Sequence, residues 1–370
     1  MAYPVFLEAI AMKLAFAIMA VLLVLAVIER ISHSKNIKKV PIRILVNGTR
    51  GKTSTTRMIA AALNEAGIVT WAKSTGTCAA EIDPSGNETP TKRRLGANIR
   101  EMIPFYRRAV KGGAQAVVIE CMAVRPDLQR TLADHLVRPT ITIILNNRVD
   151  HIDVMGSTEY ETALALSNSI RKNAMCIAPE IFREFADNVQ TPVETVTQED
   201  MQGFAFPVFA ENMNAALTAL EAVGVDRETA LRGMRKAKPD VGISGPFTIG
   251  QAFVINGFAA NDAESTEVLI READQDLPII VVYNNRNDRK YRMRTFLPVI
   301  RGLEKRLETV LVIGESPKDV CRYLKYAHIA AEPAKVDDAF FDRLGDRKRI
   351  VFCLGNIKGA GLEMIEKLNG

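Results

Sequence analysis

The sequence predicts an α/β protein: an apolar helix, then a phosphate-loop domain on a parallel sheet, then a smaller Rossmann-like α/β domain. Three observations carry this. Short apolar runs alternate with amphipathic stretches along most of the 370 residues, the pattern of strand–helix–strand units. A glycine-rich turn ending in Lys-Thr separates the first such run from the first amphipathic stretch. Residues 14–28 are fifteen apolar residues without a charge.

Composition agrees. With 48 Lys+Arg against 43 Asp+Glu, 48% hydrophobic and 25% charged residues, the chain is neither disordered nor of low complexity. At about 150 residues per domain the length predicts two globular domains. The five cysteines form no C-x-x-C pair and are odd in number, which argues against a disulfide framework or zinc site and for a reducing compartment. Four scattered histidines are too few for a His-rich metal cage.

Residues 5–28 admit only Glu8 and Lys13. As a helix they span about 36 Å at 1.5 Å per residue, more than the roughly 30 Å of a hydrocarbon core. The run ends in Val27-Ile28-Glu29-Arg30, without the small residues of a signal cleavage site. Arg30, Lys35, Lys38, Lys39 and Arg43 follow and are held in the cytoplasm by the positive-inside rule. Residues 1–30 are therefore expected as a single-pass cell-membrane anchor, residues 31–40 as a basic linker, and the remainder as cytoplasmic. A helix lying in the interface or packed on a partner is the alternative.

From residue 41 to 238 the expected elements are strands at 42–46, 68–72, 116–120 and 140–145, and helices at 53–66, stopped by Gly67, and 126–136. Residues 73–98 read as a long polar loop. Two helices, from Asn212 and after Asp226, flank Gly224. The turn residues Lys238-Pro239-Asp240-Val241-Gly242 mark a boundary. Residues 239–370 then carry strands at 253–255, 278–283, 309–313 and 350–354.

Gly48-Thr49-Arg50-Gly51-Lys52-Thr53-Ser54 falls between a strand and a helix. Glycines let backbone N–H groups approach phosphate oxygens, and the following helix points its positive end there. Lys52 is expected on the terminal phosphates and Thr53 on Mg²⁺. The loop departs from G-x-x-x-x-G-K-[ST] because Val46 stands at the first glycine position. Its G-T-x-G-K-T-S-T-T form resembles the Mur ligase family, which includes the folylpolyglutamate synthetases. Such enzymes join an acid to an amino acid with ATP.

Glu120 ends a buried strand, and a carboxylate there lies in the crevice where α/β sheets bind ligands, suited to a magnesium ion bridging phosphates. The resemblance implies a metal-binding Glu here. It also implies that His151, in Asn147-Arg148-Val149-Asp150-His151-Ile152-Asp153, is a ligand of a second divalent ion. A ligating His is neutral, so activity is expected to fall at acid pH. Asn146 is expected beside the nucleotide. Asn212 is either a nucleotide contact or a helix N-cap.

Asn256-Gly257-Phe258-Ala259-Ala260-Asn261-Asp262, Glu120-Cys121-Met122-Ala123-Val124, Asp150 to Gly156 and Gly355-Asn356-Ile357-Lys358-Gly359 are similar to one branch, the ligase subunits of poly-γ-glutamate synthase. Together these motifs cover nearly the whole chain. The resemblance implies the Mur-type fold, ATP with Mg²⁺ or Mn²⁺, and an acyl-phosphate route that polymerises glutamate through its γ-carboxyl. Implied partners are the growing polymer and integral-membrane synthase or export subunits, with a homo-oligomer left open. Arg286 and Asp288 are expected on phosphate or ribose. Lys92, Arg93, Arg94, Asn256 and Asn261 are expected on substrate, since a polyanionic chain needs cations along its path. No stacking aromatics accompany the basic clusters, so nucleic acid is not an expected partner. The competing readings are a phosphate-loop ATPase that powers export without forming amides, and a nucleotide-binding scaffold.

Overall fold

The computed structural model describes residues 3–368 except 77, 78, 92, 94, 95, 207, 240–246, 259–265, 268, 271–273, 275, 290 and 291, with side chains from residue 12 onward. Lys92, Arg94, Asn261 and most of the expected domain boundary therefore lie outside the described residues. The chain divides into two compact units. Unit one comprises residues 1–74, 80–196 and 210–234, and unit two residues 75–79, 197–209 and 235–370.

Helix α1 runs without a break over Tyr3–Lys39. The expected linker at 31–40 is thus the end of the helix. After Pro4 in its first turn no Gly or Pro occurs before Pro41, and the residue ahead of a proline disfavours helical geometry. From Met12 the helix is long and apolar enough to cross a membrane, and its most apolar window is wholly unburied. Its last turns differ: His33, Ile37 and Val40 are buried. Ile37 and Val40 share a core with Phe105, Tyr106 and Ala109 of α3 (Met102–Lys111) and with Val137.

Unit one is built on β1 (Ile42–Asn47), β2 (Thr70–Ser74), β3 (Ala80–Ile82), β4 (Glu88–Pro90), β5 (Ala116–Glu120), β6 (Ile141–Ile144), β7 (Met175–Ile177) and β8 (Val189–Gln190). Among the described residues these form an eight-stranded sheet in the order β4-β3-β2-β5-β1-β6-β7-β8. All pairs are parallel except β2–β3 and β3–β4. Central β1 is buried over its last four residues, as a strand covered on both faces must be. Helix α2 (Lys52–Glu65) follows it. Its end is closed by backbone bonds from Gly67 N–H to Asn64 and from Ile68 N–H to Leu63. That cap uses Ile68, so β2 begins two residues later than the sequence pattern predicts.

The expected long loop contains the β3–β4 hairpin. Asp83 Oδ1 accepts from the Ser85 and Asn87 N–H groups, forming its turn with Gly86 at φ 77°. Arg57 of α2 forks onto Glu88 of β4. The expected helix at 126–136 is α4 (Pro126–Thr131) followed by a π-helical turn, Leu132–Val137.

Unit two holds β9 (Phe247–Ile249), β10 (Ala252–Asn256), β11 (Ile279–Asn285), β12 (Leu307–Gly314), β13 (Ala331–Pro333) and β14 (Ile350–Gly355). Their order is β13-β12-β11-β14-β10-β9, parallel except for the β9 edge. The four expected strands are β10, β11, β12 and β14. The two edge strands carry no long apolar run and escape the sequence pattern.

Ile37→Ala is expected to destabilise unit one by about 2–4 kcal/mol, as for other large-to-small core changes. The check is the unfolding midpoint in detergent; an unmoved midpoint would mean that the helix end lies outside the core.

Candidate active site

β1 ends at Asn47, level with Ile144 of β6, while Val46 is level with Glu120 of β5. The loop that follows therefore emerges between two neighbouring strand ends, at the carboxyl edge of the sheet. Gly48 (φ 123°) and Gly51 (φ 78°) take backbone conformations that disfavour L side chains. A Cβ on Gly48 would stand 3.1 Å from Leu145 N, and one on Gly51 would run into the Asn212 amide.

Asn146 braces the loop. Its Oδ1 accepts from Thr49 Oγ1 at 2.8 Å and from Arg50 N–H at 3.1 Å, and its Nδ2 donates to Arg50 O at 3.3 Å. It is a positioning residue for the loop's backbone. Arg50 turns outward to Asp150, 2.7 Å away. Lys52 Nζ donates to Gly48 O at 2.6 Å and Thr49 O at 3.3 Å. Burial pulls its amine below the ordinary lysine range, opposed by the nearby Glu120 charge. Ser54 follows, half-buried, in the first turn of α2.

Thr53 Oγ1 donates to both Glu120 carboxylate oxygens at 3.0 Å, and Glu120 is buried. These are hard oxygen donors, few in number, of the kind that hold a small divalent cation together with substrate phosphates. Among the described residues no three His, Cys, Asp or Glu side chains form a metal cage. The next residue, Cys121, has its thiol pushed up to about 11 by burial and is no nucleophile at neutral pH.

His151 heads the short helix α5 (Ile152–Met155) with φ 50°. Its Nε2 lies 3.7 Å from Asp150 Oδ2. The structure thus joins Thr53 to Glu120, and His151 to Asp150 and Arg50, around one loop.

Helix α6 (Ala210–Ala222) starts two residues before Asn212, which therefore stands inside its first turn and is no N-cap. Its Oδ1 is buried without a hydrogen-bond partner, beside Gly51. Asn214 has a structural task instead, accepting from the Thr195 and Val196 N–H groups at 3.0 Å. Ser74 was not expected. It ends β2 one residue past Lys73, which is level with Ile119, and its buried Oγ also has no partner. By strand alternation it shares the sheet face of Glu120. A serine just past a predicted strand is its only sequence signal.

Outside this group, Arg93 Nε donates to Glu101 at 2.8 Å. In unit two, Arg286 pairs with Asp288 at 2.6 Å, and Asn256 Oδ1 accepts from Phe258 N–H at 3.3 Å. Asn256, Asn285 and Asn356 gather at the carboxyl ends of β10, β11 and β14. Asn284 Oδ1 is buried there without a partner.

The Mur ligase middle domain model matches residues 46–221, and the poly-gamma-glutamate synthase CapB C-terminal domain model matches residues 246–370. PGA synthase CapB of Bacillus subtilis (strain 168) is 35% identical over 384 residues, spanning 95% of this chain and 96% of its own. The chain belongs to the poly-gamma-glutamate synthase CapB family. Capsule biosynthesis protein CapB of Bacillus anthracis is 33% identical over 94% of this chain and 80% of its own. The fold matches the bifunctional folylpolyglutamate synthase/dihydrofolate synthase of Yersinia pestis CO92, complexed with AMPPNP and Mn ion, at TM-score 0.67 and 14% identity. That match covers 91% of this chain and 92% of the other. The CapB family thus has a Mur ligase-like fold, and the phosphate loop lies at the start of its matched middle domain.

Asn212→Ala is expected to weaken ATP binding roughly tenfold, the loss of about one hydrogen bond. It should leave the melting temperature without nucleotide nearly unchanged, because the deleted oxygen has no protein partner. Nucleotide titration beside thermal melts checks this; equal losses in both would make Asn212 merely structural.

Proposed function

We propose that this chain is an ATP-dependent acid–amino acid ligase that polymerises glutamate through its γ-carboxyl. The observation that carries the reading is the contact of Thr53 with Glu120 beside the Gly48–Ser54 loop, in a chain of the CapB family.

A carboxylate is inert to amines because it would have to expel oxide. Transfer of the ATP γ-phosphoryl group to the substrate carboxylate gives an acyl phosphate and ADP. The amine of the next glutamate attacks that carbon, forming the amide as phosphate departs. The loop N–H groups and the positive end of α2 hold phosphate oxygens. Lys52, bound to the loop carbonyls, is positioned to exchange them for the transferred group. Thr53 and Glu120 would hold Mg²⁺, and Ser74 adds a free buried hydroxyl on the same face. The ion would supply charge neutralisation between the phosphates. His151 is assigned to a second divalent ion, with Asp150 orienting the imidazole. Asn212 binds the nucleotide side of the loop.

In unit two, Arg286 and Asp288 are assigned to phosphate or ribose, and Asn256, with Asn261, to substrate. Arg93, with Lys92 and Arg94, is assigned to the anionic product. Of these, the described Arg93 and Arg286 have carboxylate partners that an anionic ligand would have to displace. Helix α1 is assigned as a single membrane span, with the rest of unit one and unit two in the cytoplasm. The product then forms beside the integral-membrane subunits that export it.

Hydroxylamine should trap a glutamyl hydroxamate in the presence of glutamate and ATP. ADP release without hydroxamate would turn the reading to a transport ATPase. Lys52→Ala is expected to reduce turnover by at least about a hundredfold, the scale of losing one transition-state charge contact, with the fold and membrane attachment kept. Glu120→Gln should raise the Mg²⁺ concentration needed for half-maximal rate; an unshifted metal titration would reject Glu120 as a ligand.

A further inference from the structure

The end of α1 meets unit one through one face. Residues 29, 33, 37 and 40 recur at helical spacing. Glu29 pairs with Arg100, and His33 shares a hydrogen bond with Leu136 O at 3.0 Å. Its ring stands edge-on to Tyr106, with centroids 5.4 Å apart. Ile37 and Val40 enter the core. Tyr106 itself donates to Val137 O, so the carbonyls closing the π-helical turn are met by α1 and α3 together. Arg138, just after that turn, donates to Ser34 at 2.9 Å. The end of α1 is thus packed and hydrogen-bonded onto unit one from Glu29 to Val40.

The distances then decide what lies beneath. From Ile28, the last residue of the apolar run, to His33 is about 7.5 Å along the helix. The headgroup layer of one leaflet is about 5–8 Å thick. The packed part of unit one therefore begins where the phosphates are. At this level stand Arg30, exposed, and Arg100, whose side chain is 65% exposed; exposed Lys35 follows about 10.5 Å past Ile28, just behind the headgroup layer. Glu29 is the single acid among residues 29–43, against Arg30, Lys35, Lys38, Lys39 and Arg43.

We propose that unit one, beyond its apolar helix segment, is seated directly on an anionic lipid surface, with Arg30 and Arg100 among the lipid phosphates and Lys35 within their field, so that α1 sets its orientation as well as its location. The proposal rests on α1 spanning the bilayer. Each basic side chain near such a surface contributes about a fivefold gain in association, lost within a Debye length of about 8 Å at physiological salt.

The same junction reaches toward the catalytic edge. Arg100 precedes Glu101, which binds Arg93 and, at 3.1 Å, the buried Lys73 Nζ. Lys73 precedes Ser74 at the end of β2.

The test uses the full chain in nanodiscs of phosphatidylcholine with or without phosphatidylglycerol. Fluorophores are placed by Arg30→Cys on the helix or by Ala97→Cys on the exposed surface before Arg100, and the chain without either change supplies the background. A headgroup nitroxide lipid is the quencher. Both labels should be quenched in anionic discs. Quenching at residue 97 should drop at least twofold in neutral discs, in high salt, or with Arg100→Glu. Quenching at residue 30 without quenching at residue 97 would overturn the seating while leaving the span intact. No quenching at residue 30 would instead remove the span. Quenching at residue 97 that is indifferent to lipid charge and to salt would overturn the assignment to anionic lipid. Dependence on an added integral-membrane protein would replace the lipid by a protein partner.

Discussion

The chain has to leave a buried central strand and enter a buried helix within four residues, between two strand ends already in place. Asn47, at the end of β1, is level with Ile144, and the turn after it is hemmed by the Leu145 and Asn146 backbone and by Asn212. Only residues without a Cβ fit at Gly48 and Gly51, and both take positive φ. The removal of those side chains leaves backbone N–H groups and a helix terminus facing one point. The anion binding proposed for this loop would thus be a consequence of how the strand must turn. The remaining features support that turn: Asn146 stitches it to β6, Lys52 binds its carbonyls, and Glu120 is carried beside it by the β1–β5 register.

A second constraint comes from the other face of the sheet. Its cover is completed by the last turns of α1, which bring Ile37 and Val40 into the core with Phe105 and Tyr106. The helix that carries the apolar run is therefore also a structural element of unit one. Buried charge on this side is handled by pairing. Lys73 is fully buried yet meets Glu101 and Thr91, and Glu81 is forked by Arg108. An unpaired ammonium there would carry a desolvation cost of several kcal/mol.

Much of the architecture was legible because its signals are local. β1, α2, β5, β6 and four strands of unit two follow from apolar runs bounded by turn residues. Gly67 ends α2 for the reason its left-handed geometry implies. The β3–β4 hairpin was missed although Asp83-Pro84-Ser85-Gly86 is a turn signature. Its three-residue strands are too short for a periodic pattern, and they are held by distant partners, Arg57 on Glu88 and Arg108 on Glu81. The continuation of α1 through residues 31–39 was missed for a related reason. The basic residues read as a solvated linker, while the buried stripe of His33, Ile37 and Val40 has meaning only against α3.

What the sequence by itself determined is the order of the central strands and their main helices, the glycine-rich loop and the family motifs, because glycine freedom, strand alternation and helix periodicity act between near neighbours. The tertiary structure alone decided which of two asparagines, Asn212 and Asn214 on either side of Met213, faces the loop. Asn214 is used on the Thr195–Val196 backbone and Asn212 keeps an unpaired oxygen beside Gly51. It also revealed Ser74, and it placed β5 between β1 and β2. Strand order and the partners of a buried polar atom depend on contacts between residues far apart in the chain, and no local pattern encodes them.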